Sequence, residues 1–138
     1  MRRTKLIVDF ELVAKVIGIV TTLKDYKLAW SINQHLKINL VMQPSLAFEF
    51  IKGKNLSVVN FNFKSEARQI RLIKNRGIIE NSGYLIPELL NFDFFLMINE
   101  ENNRTIEGEV EYLSTIEEIV YCKLIDLPKL KSKDNFIF

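Results

Sequence analysis

Apolar and polar residues change their spacing several times along this chain, and each change predicts an element. Residues 12–20, LVAKVIGIV, are rich in Val and Ile and predict a strand, with Gly18 allowing a bulge or a close backbone approach. Beyond Thr22 the period lengthens. Leu28, Ala29, Ile32 and Leu36 recur at helical spacing, which predicts a helix over 22–36 with these residues as its buried stripe. Thr22 followed by Asp25 resembles a capping box with Asp in place of the usual Glu. Tyr26 and Trp30, one turn apart on a neighbouring side, read as the edge of the core, with ligand stacking as the alternative.

Residues 39–51 return to strand, and Pro44 marks either an edge or a bulge, because proline cannot donate to a ladder. Leu46, Phe48 and Phe50 alternate inward. Residues 52–55, KGKN, make a hairpin turn, after which Val59, Phe61 and Phe63 alternate against Asn60 and Asn62, predicting a strand with one wet face. A turn at 64–66 and a third strand over 67–74 complete an antiparallel meander. Residues 75–82 contain Gly77 and polar side chains and are expected to form a mobile loop.

The stretch 83–98, GYLIPELLNFDFFLMI, organises the rest. Pro87 suits the first position of a helical turn, where its missing N–H is not needed, and Glu88 then lies at the positive end of that turn. Phe94-Phe95-Leu96-Met97-Ile98 lacks polar alternation, which predicts a central strand covered on both faces. Asp93 at its mouth accepts backbone N–H groups at a turn; the sharper alternative pairs Glu88 and Asp93 at a ligand site. Downstream, Ile106, Val110 and Leu113 have helical spacing although 106–112 also alternates. A helix is preferred, since joining parallel strands needs a crossover of this length. Residues 118–125 predict a strand with Val120, Cys122 and Leu124 on one face, and Asp126 is placed to cap a turn at 127–130. The tail 129–138 ends on Phe136, Ile137 and Phe138, apolar enough to dock on the domain or on a partner. The chain therefore predicts one α+β domain over 1–138, built on a single mainly antiparallel sheet. Its order is β-α-β-β-β, a short turn, then β-α-β, with helices packed on one face.

Ile86-Pro87-Glu88, three residues, then Phe92-Asp93-Phe94 resembles the signature Ile-Pro-Glu-x-x-x-Val-Asp-Tyr of the bacterial IPExxxVDY family. Phe92 stands where the signature has Val, and Phe94 where it has Tyr. The second departure removes a hydroxyl that could donate a proton or a hydrogen bond. Residues 18–36 and 129–138 are similar to the family as well, so the resemblance spans most of the chain. It implies an intracellular bacterial protein of unassigned activity and brings no catalytic residues with it.

Composition narrows the chemistry. The 138 residues are 48% apolar with ten phenylalanines, enough for an ordinary core, and a formal charge of +2 is far from the basic profile of a dedicated nucleic-acid binder. One cysteine, Cys122, rules out an intrachain disulfide and fits a reducing compartment. The opening MRRTKLIVDFELVAKVIGIV is basic then apolar, but Asp9, Glu11 and Lys15 interrupt it, and no run approaches the ~20 apolar residues of a membrane span. A soluble cytoplasmic protein without membrane contact is expected.

Familiar catalytic arrangements are missing. The single histidine, His35, reads as a helix C-terminal cap, and Cys122 as inert core, so neither a metal nor a cofactor is expected. No G-x-S-x-G, G-x-G-x-x-G or Walker-type loop occurs. The glutamates of the second half read as a solvated face. Arg68, Lys74 and Arg76 offer a weak nucleic-acid surface near Phe61 and Phe63, opposed by the inward alternation of those phenylalanines and by Arg71 pointing to the other side. The residues lean away from an enzyme. The reading that follows is a non-catalytic binding or assembly module, homodimeric or paired with another protein, contacting it through a strand edge or Phe136–Phe138. The first alternative is a small-molecule site or unrecognised enzyme at Pro87, Glu88 and Asp93 with Tyr26 or Trp30 nearby. The second is nucleic-acid contact through Arg68, Lys74 and Arg76.

Overall fold

The computed structural model describes residues 15–49, 55–66, 68–80, 82–100 and 106–126. The expected turn at 52–54, Phe50, the turn at 127–130 and the tail with Phe136, Ile137 and Phe138 lie outside the described residues. Along the chain run β1 (Lys15–Thr21), α1 (Asp25–Leu36), β2 (Val41–Glu49), β3 (Asn55–Lys64), β4 (Arg68–Lys74), a 3-10 turn (Pro87–Leu89), β5 (Phe94–Glu100), α2 (Ile106–Ser114) and β6 (Ile119–Leu124). Together they make an α+β fold with one antiparallel sheet of six strands in the order β2-β3-β4-β5-β1-β6. This lateral order differs from what a simple terminal β-α-β unit implies. β5 and β6 each pair antiparallel with β1, so they run parallel to one another with β1 inserted between them. Helix packing departs as well: α2 leans on β6 and touches α1 rather than covering the two strands it connects. None of the helices described is long and apolar enough to cross a membrane.

β5 holds the centre. Phe94, Phe95, Leu96, Met97 and Ile98 are all at most 4% exposed, flanked by β4 and β1. Its apolar run is continuous because both faces are covered. Phe94, Leu96 and Ile98 join Ile17, Ile19, Ile70 and Leu72 beneath the helix residues Leu28, Ala29, Ile32 and Leu113. Phe95 and Met97 join Val16, Phe48, Val58 and Ile73 on the opposite face, where Leu85 and Ile86 close the cluster. Each such side chain contributes about 1.5–3 kcal/mol through burial.

Local departures from the sequence pattern have identifiable causes. Thr22 does not cap α1: the N-cap is Lys24, without a side-chain hydrogen bond, and Asp25 instead accepts from the Tyr26 N–H at 2.6 Å. The helix ends on Lys37 in the left-handed region (φ 58°), and Asn33 then binds Leu40 through both its backbone groups, steering the chain into β2. His35 caps no terminal carbonyl. Its Nδ1 meets the Ser31 carbonyl at 3.0 Å, and its ring meets Tyr112 of α2 edge-on.

β3 has no wet face at Asn60, which is fully buried. β2 is an edge strand and also bulges between Gln43 and Leu46, and Asn60 donates to the freed Pro44 carbonyl at 2.8 Å. Arg71 in turn donates to the Asn60 Oδ1 at 3.0 Å, so the asparagine is satisfied from both sides. Burial pushes the Arg71 guanidinium pKa below its ordinary value. A second bulge, at Val20 and Thr21, shifts the pairing with β6 and turns Val120 outward to 69% exposure, away from Cys122. Gly18 is not the bulge. A Cβ there would stand 2.6 Å from the Phe92 ring, so the glycine admits a side chain rather than a backbone.

Candidate functional site

The segment between β4 and β5 is held, not loose. Asn75 is completely buried and spends every polar group on this segment. Its Nδ2 donates to the carbonyls of Leu89 and Phe92 at 3.1 Å each, and its Oδ1 accepts from the Ile86 N–H at 2.9 Å. Its backbone N–H donates to the Asp93 carbonyl, and its carbonyl accepts from Leu85. Arg76 forms a bridge with Tyr84, and Gly77 donates to the Gly83 carbonyl. A buried polar group is costly unless paired, so one asparagine determines the path of the Pro87 turn. Nothing in the sequence singles Asn75 out from the polar residues after it.

Asp93 performs a second tie. Its Oδ2 accepts from the Thr21 N–H at 3.0 Å, while its own N–H donates to the Ile19 carbonyl at 2.8 Å. The Thr21 hydroxyl is engaged too, donating to the Glu118 carbonyl and accepting from the Leu23 N–H. Phe92 turns onto Gly18 and Ile125 and stacks near Tyr121. Phe92 and Asp93 thus lock the end of the sheet.

Above this lock lies a cleft of about 250 Å³, lined by Thr21, Leu23, Lys74, Arg76, Tyr84, Leu90, Phe92, Asp93 and Phe94. Asp93 and Phe94 belong to it; Pro87 and Glu88, both exposed on the 3-10 turn, do not. The two acids anticipated as a pair are therefore not brought together in this cleft. Arg76 reaches across to Tyr84, donating to its hydroxyl at 3.0 Å with the guanidinium carbon 5.6 Å from the ring centre. That hydrogen bond and the neighbouring phenol oxygen, with Asp93 and Glu80 further off, raise the pKa of Arg76 above its ordinary value.

Tyr26 and Trp30 are not a core edge. They stand 57% and 64% exposed on α1, over a broader groove of about 520 Å³ lined also by Leu23, Lys27, Ser31 and Glu118. Leu23 is the residue the groove and the cleft share. Arg68 joins neither. It sits at the far end of β4, about 20 Å from Lys74 at strand rise, and Phe61 is buried in the core, so base-stacking and basic residues do not share one surface. Cys122 is buried, with its Sγ 3.3 Å from the Ser114 Oγ. Among the described residues no three of His, Cys, Asp or Glu converge.

Compared with models of known protein families the chain matches none, and no curated protein matches it.

Proposed function

We propose that this protein is a cytoplasmic, non-catalytic binding and assembly module that forms homodimers, with the resemblance to the IPExxxVDY family as its affiliation. One observation carries the proposal: Trp30 and Tyr26 stand exposed over a groove on α1 while Leu28, Ala29 and Ile32 of the same helix are buried in the core. Trp and Tyr are the side chains that most often dominate association energies when a partner seals them from water. Lys27 and Glu118 on the same groove have opposite charge, so a two-fold arrangement can set each against its opposite in the second copy. Light scattering across micromolar concentrations tests this. A dimer that dissociates in Trp30→Ala supports the reading, and a strict monomer, with or without residues 136–138, removes it.

A second reading is favoured by the cleft at Asp93: a small-molecule site, now without Glu88 as a member. A metabolite screen by thermal shift, repeated on Asp93→Asn, tests it. Shifts that are the same in both proteins count against a site at this position.

A further inference from the structure

We propose that the cleft between the ends of β4 and β5 binds a small ligand through an oxyanion group, a carboxylate or a phosphate. The inference rests on the small-molecule reading of that cleft. Strand alternation puts Lys74 and Arg76 on one face, and both line the cavity. Asp93, the acid lining the cleft, gives its Oδ2 to the Thr21 N–H. Arg76 is oriented by Tyr84, through the hydroxyl at 3.0 Å and the ring at 5.6 Å, and this uses part of a five-donor fork. The Tyr84 hydroxyl accepts from Arg76 and keeps its own proton as a further donor.

An ammonium, a guanidinium and a phenol thus line one cavity, a donor set that charged oxygens take strongly. Leu23, Leu90, Phe92 and Phe94 complete the walls, and about 250 Å³ suits a ligand smaller than a drug-sized molecule. The Thr21 hydroxyl is already committed to Glu118 and Leu23, so it forms floor rather than contact. Asp93 and the more distant Glu80 work against an anion, which yields a test of opposite sign.

NMR titration of the full chain with inorganic phosphate, acetate, ethanolamine and glycerol at constant ionic strength reads this out. Phosphate or acetate, whichever source the natural ligand resembles, is expected to shift the signals of Leu23, Phe92 and Phe94. Arg76→Gln and Lys74→Gln should each weaken that binding by about tenfold, and Tyr84→Phe should weaken it several-fold. Asp93→Asn should tighten it. Anion shifts that are unchanged in Arg76→Gln and Lys74→Gln, or weakened in Asp93→Asn, overturn the inference. Ethanolamine or glycerol moving those signals while both anions leave them still overturns it too, yet spares the small-molecule reading. Silence from all four probes removes both.

Discussion

The lock around Asn75 and the groove beside Trp30 are opposite solutions to the same problem of placing residues around the end of a sheet. At Asn75, all five backbone and side-chain hydrogen bonds close on the segment itself, and nothing polar is left for a ligand. At Tyr26 and Trp30, large aromatic surface faces water although apolar partners lie a turn away on the same helix. The contrast separates motif from site. The signature-like residues build the frame, and surfaces left unfilled by that frame are where binding is to be sought. The cleft at Lys74 and Arg76 lies between the two: Asp93, part of the lock, is also one of its walls.

Substitution can break this contrast at several points. Asn75→Ala should have the largest effect, about 3–5 kcal/mol of stability, because it removes three side-chain hydrogen bonds and strands two carbonyls and an N–H. Urea denaturation would measure it, and a loss below about 1 kcal/mol would show that the lock is not one. Gly18→Ala should lose about 1–3 kcal/mol by driving a methyl group into the Phe92 ring, visible as a lower midpoint and a displaced Phe92 signal. Asp93→Asn should lose about 1 kcal/mol, since an amide oxygen still accepts from Thr21 but without charge. On the other side of the comparison, Trp30→Ala should change monomer stability by less than about 0.5 kcal/mol while abolishing the self-association proposed above. A substantial fall in stability there would make the aromatic a structural residue after all.

Legibility in the sequence followed the range of the interaction involved. The apolar run 94–98 announced a strand with two covered faces, and β5 has them, because burial on both sides leaves no position for a polar residue. Pro87 announced its turn, since its fixed φ acts locally. The helix at Ile106–Ser114 was legible from the length of connection between two strands rather than from its period, which fitted a strand as well. Asn60 and Asn75 misled for a shared reason. Asparagine is ordinarily a surface or turn residue, and its burial depends on carbonyls distant in sequence, Pro44 for one and Leu89 and Phe92 for the other. Val120 misled because a one-residue bulge in its pairing with β1 breaks the alternation that the period-two pattern assumes.

The candidate site shows the same division. Asp93, Lys74 and Arg76 could be named from their residue types, but assigning them to one cleft, with Tyr84 as orienting partner and Glu88 outside, required the bridge from Arg76 to Tyr84. By itself the sequence determined the α+β class, the central strand and the proline turn, because hydrophobic period and backbone restriction act over a few residues. The order β2-β3-β4-β5-β1-β6, the burial of two asparagines and the exposure of Trp30 were set by long-range contacts. Those outcomes depend on which distant strand arrives to cover a face or accept a hydrogen bond, and no local pattern encodes that arrival.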